Sequence, residues 1–329
     1  MPVTVALAGP QGSGKTTLFD ALTRGRGADG VGMVDVPDER LDRLAAAVKP
    51  KKVVPAQVRV VDAPPGSRAQ RIAAAREADV VLLVLRRFGP DPDPAGDLES
   101  ITLDMVVTDL ATVERRQEAV ARELRGGHKE AAVEAETLER AKAHLDAGLP
   151  LRTLELAPEH RAHLASIFAV SVKPAVIVAN VSDPSAPPDP ALAAPGLPVL
   201  QLSAQLEKEL GELEPAEAEE MRSSYGLTES GLDSVARAAW DAGGLITYFT
   251  AGEPEARAWT VERDASAPVA AGRIHSDFEK HFIRAEVTSV DELVGAGSME
   301  ALRSAGKLRV EGKEYVVQDG DVVFFRVGR

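Results

Sequence analysis

The chain has 329 residues, 44% of them hydrophobic, no cysteine and a formal net charge of −13. That length exceeds one ordinary core and implies two or three packed units, and the lack of cysteine excludes disulfides and zinc-thiolate sites. The acidic balance excludes a protein that coats nucleic acid through bulk charge, because neutralising phosphates takes clustered Lys and Arg.

No DNA partner is therefore expected, and RNA contact would need a local basic patch. No apolar run approaches the roughly 18 residues of a membrane span. The stretch Met1 to Ala8 has neither a cationic lead nor a cleavage site. A soluble, cytoplasmic protein with no membrane partner is expected.

In chain order, Val3 to Ala8 is an apolar, β-branched run that predicts a buried strand. Gly9-Pro10-Gln11-Gly12-Ser13-Gly14-Lys15-Thr16 follows it and leads into a helix over Thr16 to Leu22. The octapeptide matches G-x-x-x-x-G-K-[ST] in the strand-loop-helix setting that motif needs. Its glycines let successive backbone N–H groups turn toward a β-phosphate, and the helix N-terminus adds positive potential. Gly9, Gln11, Gly12, Ser13, Gly14, Lys15, Thr16 and Thr17 are the phosphate-site residues, for ATP or GTP. Lys15 is the catalytic candidate, bridging β- and γ-phosphates, and the Thr16 hydroxyl is a ligand for Mg²⁺.

Gln57 to Val61 predicts the next core strand, and Asp62 at its end is the second metal candidate, holding Mg²⁺ through water. The plainer reading is an Asp that caps the turn before Pro64. A helix over Arg68 to Ala78 and a strand over Val80 to Leu85 come next. Thr108 to Ile167 is nearly free of β signals and rich in Ala, Glu, Arg and Leu, so two antiparallel helices are expected, broken at Gly126-Gly127. Val113, Val120 and Leu124 are spaced to form one apolar stripe.

Ala175 to Ala179 predicts a buried strand and runs into Asn180-Val181-Ser182-Asp183. After a phosphate loop, N-x-x-D at the carboxyl edge of a sheet is a base-recognition signal. Asn180 would tether the loop and Asp183 would accept from base N–H groups. Ser203 and Ala204, after a strand over Val199 to Leu202, would add backbone donors. Strands alternating with helices imply an α/β fold with a doubly wound, mostly parallel sheet. Past Leu245 the pattern becomes short strands: Ile246 to Thr250, Ala258 to Val261, Phe282 to Val287, Lys307 to Val310, Tyr315 to Val317 and Val322 to Val327. That is a separate α+β domain.

These residues resemble the YchF or Obg-like ATPase family of P-loop proteins. The segments that carry the resemblance include Val34-Asp35-Val36-Pro37-Asp38-Glu39-Arg40-Leu41, Pro50 to Ala56, Thr247-Tyr248-Phe249-Thr250-Ala251-Gly252 and Ile274 to Lys280. It implies a P-loop (G) domain over 1–107 and 168–244, an inserted helical hairpin over 108–167 and a ubiquitin-like TGS domain over 245–329. It further implies slow Mg²⁺-dependent NTP hydrolysis, usually favouring ATP, and a ribosome-associated or stress-related role. Ribosome or RNA contact would run through the TGS and helical domains, with His275, Lys280 and Arg284 as RNA-facing candidates.

The chain departs from the family pattern in places. Gly12 stands where relatives carry a loop asparagine, and Arg24 to Gly30 replaces a longer threonine-bearing segment. Asp62-Ala63-Pro64-Pro65-Gly66 is one residue longer than Asp-x-x-Gly, and Asp183 replaces the family's glutamate. The altered switch segments motivate an alternative, a nucleotide-sensing scaffold with little or no turnover, and Asp183 restores the acid that guanine-specific relatives use. A small-molecule kinase is the third reading, opposed by the TGS-like end.

Overall fold

The computed structural model describes residues 3–63, 68–128, 131–194 and 196–328. The first half runs β1 (Val3–Ala8), α1 (Lys15–Thr23), β2 (Val31–Val36), α2 (Glu39–Val48), β3 (Val53–Val54), β4 (Ala56–Asp62), α3 (Arg68–Glu77), β5 (Val80–Arg87), α4 (Pro94–Arg125), α5 (Ala132–Asp146) and α6 (Pro158–Ser166). It continues as β6 (Ala175–Val181), β7 (Val199–Leu202), α7 (Ala204–Leu210), α8 (Pro215–Ser224) and α9 (Gly231–Ala242). The remainder is β8 (Leu245–Ala251), β9 (Ala256–Glu262), α10 (Ala267–Ile274), α11 (Ser276–Lys280), β10 (Phe282–Ser289), α12 (Val290–Ala296), α13 (Met299–Ser304), β11 (Arg309–Glu311) and β12 (Asp321–Val327).

One six-stranded sheet has the order β2-β4-β1-β5-β6-β7, and its pairs β1–β5, β5–β6 and β6–β7 are parallel. All seven residues of β6 are buried, as is Val80 to Leu85 of β5. Covered on both faces, these strands read as unbroken apolar runs rather than alternating ones. The second sheet has the order β11-β10-β12-β8-β9-β3, is largely antiparallel, and encloses a core of Tyr248, Val261, Ala270, Phe282, Val287 and Phe325. The α/β P-loop architecture with a helical insert and a C-terminal α+β domain is thus the observed fold.

Contacts divide the chain into two compact units, 4–32 with 59–235 and 1–3 with 33–58 and 236–329. Residues 33–58 fall in the same unit as the C-terminal part, while β2 and β4 at the two ends of that segment are strands of the first sheet. In that second unit α2 lies against α12, and Arg40 donates to Asp319 at 2.6 Å.

The helical insert begins earlier than residue 108. Asp93 caps α4 by accepting from Gly96 N at 3.0 Å, and the helix then continues unbroken to Arg125. Gly126 and Gly127 end it, Gly127 at φ 91°, a conformation open to glycine. Val113 and Val120 are buried with Leu138, Leu145 and Leu164, but Leu124 is 37% exposed and lies outside that cluster. The insert also holds a third helix, α6. Tyr315 to Val317 forms no strand. It makes a single bridge from Val316 to Ser266, and Ala267 N and Val317 N bond across to Tyr315 O and Ala265 O, so the start of α10 takes the bonds a strand would have used.

Candidate phosphate-binding site

The site gathers at the carboxyl ends of four strands. Gly9 follows β1, Asp62 ends β4, Asn180 is the penultimate residue of β6, and Ser203 follows β7. In an open parallel sheet that edge is where ligands bind, since strand ends and helix N-termini converge there.

The loop geometry follows from its glycines. A Cβ on Gly9 would overlap the carbonyl oxygen of Val84, and one on Gly14 would overlap Asn180 Nδ2. Gly12 and Gly14 adopt φ 81° and 89°, the left-handed region that disfavours side chains. α1 starts at Lys15 with no side-chain cap and no acid in its first turn, so its N–H groups and positive end are presented to an anion.

The loop is held by Asn180. Its Nδ2 donates to Ser13 O at 2.9 Å, and its Oδ1 accepts from Ala204 N at 3.0 Å. One buried amide thus ties the phosphate loop to the start of α7. Lys15 Nζ donates to the carbonyls of Gly9 and Pro10 at 3.0 and 2.6 Å, which places its ammonium over the loop. Ser13 is fully buried, and its Oγ has no hydrogen-bond partner.

Thr16 Oγ1 donates to Asp62 Oδ2 at 2.9 Å, while Asp62 Oδ1 is buried without a partner. Burial pushes the Asp62 carboxyl up from its ordinary value, against the Thr16 hydrogen bond and the Lys15 charge. A hydroxyl and a carboxylate with an uncompensated oxygen form a hard-donor set that fits Mg²⁺, which binds through few protein oxygens plus phosphate and water. No group of three or more His, Cys, Asp or Glu side chains able to hold a metal occurs among the described residues. A cation here would consequently depend on the phosphates. The switch residues Pro64, Pro65 and Gly66 lie outside the described residues.

Beside the loop is a cavity of about 420 Å³, lined by Gly14, Thr17, Asn180, Ser182 and Ser203 together with Phe88, Leu206 and Tyr225. Gln205 and Glu209 also line it, paired through Gln205 Nε2 at 2.7 Å. Phe88 sits one residue past β5, where the strand-edge rule that pointed to Asp62 and Asn180 would also have found it. Tyr225, at the end of α8, carries no local signal.

Ala204 is at this site with its N–H given to Asn180, and the Ser203 hydroxyl caps α7 by accepting from Leu206 N at 3.3 Å. Asp183 does not line the cavity. Its carboxylate accepts from Ser185 N and Oγ at 2.9 and 2.7 Å, which lowers its pKa. Asp followed by Pro184 and Ser185 closes such a turn on its own backbone. Gln11 is exposed at the loop tip.

In the C-terminal domain His275, Lys280 and Arg284 are all exposed, with His275 Nδ1 capping α11 by accepting from Asp277 N at 3.2 Å. No helix among the described residues is long and apolar enough to cross a membrane.

The family model YchF-GTPase_C, described as a protein of unknown function, matches residues 245–328. Over its full length the chain is similar to a Bacillus subtilis protein named "Ribosome-binding ATPase YchF", 37% identical with 99% of each chain covered. An Escherichia coli O157:H7 protein of the same name is 36% identical, with 95% of each chain covered. A solved structure titled "Structure of the Schizosaccharomyces pombe YchF GTPase" superposes with TM-score 0.87 at 27% identity, covering 98% of this chain and 97% of the other.

Proposed function

The chain belongs to the YchF family, and from that premise we propose that it is a Mg²⁺-dependent nucleotide-binding protein with slow NTP hydrolysis that works in association with the ribosome. The carrying observation is the loop from Gly9 to Thr16, closed on one side by Asn180 and facing the Thr16–Asp62 pair on the other. Two relatives named ribosome-binding ATPases support the partner, and that partner in turn supports a cytoplasmic location.

In this reading the loop amides and the Lys15 ammonium hold the β- and γ-phosphates and stabilise charge on the transferring group. Thr16 would hold Mg²⁺ directly and Asp62 through water, and the bound cation would neutralise phosphate charge. Asn180 positions the loop rather than touching the reacting atoms. Slow turnover is supported by the long segment from Asp62 to Gly66 that stands in place of Asp-x-x-Gly.

On nucleotide choice the reading is ATP over GTP. Two relatives named ATPases support it, and Asp183 does not decide it, because both of its bonds from Ser185 fall on Oδ1 alone. Competition of both nucleotides against a labelled one tests this, and GTP binding tenfold tighter, about 1.4 kcal/mol, would overturn it.

Multiple-turnover phosphate release, with Lys15→Ala as control, tests the enzyme claim. Sustained release that Lys15→Ala abolishes is the expected result. Tight binding with a single round of release would favour the nucleotide-sensing scaffold instead, a reading supported by the altered switch segment. For domain use, we propose that 108–167 and 245–329 carry the partner contacts. Co-sedimentation of the full chain with ribosomes, undiminished by Lys280→Glu and Arg284→Glu together, would remove those two residues from the interface.

A further inference from the structure

A second cavity, of about 410 Å³, lies within the compact unit formed by 33–58 and 236–329. One wall is the side of β9. There the guanidinium of Arg257 stands over the ring of Trp259 at 4.7 Å, and Trp259 stacks on the fully buried Tyr248, with ring centroids 6.5 Å apart and an interplanar angle of 12°. Trp259 Nε1 donates to Thr250 Oγ1 at 2.9 Å, which fixes the ring. This tier holds a planar cation in place.

Arg273 from α10 is the second cation. Its Nη2 donates to Glu262 at 2.5 Å, while its Nε is buried with no hydrogen-bond partner. Met33, Val54 and Pro55 add apolar surface, Thr260 adds a hydroxyl, and Gln57 adds an amide whose Nε2 donates to Asp35 Oδ1 at 2.7 Å. The residues that line the cavity include no acid, although each arginine pairs with a carboxylate beside it, Arg257 with Glu255 at 3.6 Å and Arg273 with Glu262.

We propose that this cavity is a binding site for a nucleoside monophosphate group, separate from the phosphate loop. A doubly charged phosphate matches the two guanidinium groups, which bind phosphate oxygens through paired N–H donors. A nucleobase stacks on a guanidinium plane and packs against apolar surface, with an amide at its edge. The volume falls in the range of small-ligand sites. The same chemistry is offered by a free mononucleotide and by the end of a 5′-phosphorylated RNA strand.

The chain has two tryptophans, Trp240 and Trp259, so Trp240→Phe leaves the cavity's own ring as sole reporter. The experiment titrates the full chain carrying Trp240→Phe and Lys15→Ala with AMP, adenosine and 5′-phosphorylated triadenylate. It follows Trp259 emission and, independently, ligand-observed NMR. The expected result is saturable AMP binding that adenosine does not reproduce and that Arg273→Gln or Arg257→Lys weakens at least tenfold. Triadenylate binding at least tenfold tighter than AMP would identify an RNA end as the source, and equal or weaker binding would identify the free nucleotide. Absence of saturation in both readouts, or AMP binding indifferent to both arginine substitutions, would overturn the proposal.

Discussion

Asn180 shows how much one side chain can decide. It is buried, and it satisfies both the Ser13 carbonyl and the Ala204 N–H. Asn180→Ala would strand two buried backbone groups at about 1–3 kcal/mol each. A lower Tm together with at least tenfold weaker Mg·ATP binding is expected, and unchanged affinity would remove the tether argument. Asp62 is the opposite case, a residue that lowers stability while equipping the site.

Burial raises the Asp62 pKa, so between the ordinary carboxylate range and its folded value the folded chain binds more protons than the unfolded one. Stability from this group therefore falls as pH rises through that window. Asp62→Asn should flatten that part of the profile and raise Tm at neutral pH in the absence of Mg²⁺ and nucleotide, while weakening Mg²⁺-dependent nucleotide binding. A lower Tm for this variant under those conditions would contradict the burial argument.

At the scale of elements, the unit β1-loop-α1 tolerates little. Gly9→Ala brings a methyl group into the Val84 carbonyl of the neighbouring β5, and backbone cannot swing aside as a flexible side chain can. The loop must shift, so nucleotide affinity is expected to fall with little change in helix content by circular dichroism.

Helix α4 is anchored in a comparable way. Fully buried Asp109 accepts from Val170 N and Ser171 N at 2.8 and 2.6 Å, fastening the long helix to the segment that leads into β6. Asp109→Ala leaves both donors unsatisfied and is expected to cost about 2–4 kcal/mol. Hydrogen exchange should quicken first at Val170 and Ser171. The same element shows why the helical segment was only partly legible. Composition and Gly126-Gly127 located the break, but an Asp-Pro start at Asp93-Pro94 inside a polar stretch is a weaker signal than the loss of β character after Thr108. The first turns of α4 were therefore not apparent.

For the whole molecule, the proposed function makes stability depend on ligand. A ligand present at 100 times its Kd adds about 2.7 kcal/mol. Mg·ATP should raise Tm for the native chain and leave Lys15→Ala unmoved, and equal shifts in both would place the nucleotide elsewhere. The two compact units each carry a cavity, and the arginine-lined one contains no part of the phosphate loop. Thermal shifts by AMP that survive Lys15→Ala would belong to that second cavity.

By itself the sequence determined the architecture and the phosphate loop, because both rest on local rules. Buried parallel strands are continuous apolar runs, and a loop that wraps a phosphate needs glycines, a lysine and a hydroxyl at fixed spacing. It also pointed to Asp62 and Asn180, which lie at strand ends. Tertiary structure alone decided the rest. It turned Asp183 onto Ser185, brought Phe88 and Tyr225 into one cavity, packed 33–58 with the C-terminal domain, and set Arg257 and Arg273 around Trp259. Each of those outcomes joins residues distant in the chain or chooses among several partners for one polar group, and no spacing along a single segment carries that information.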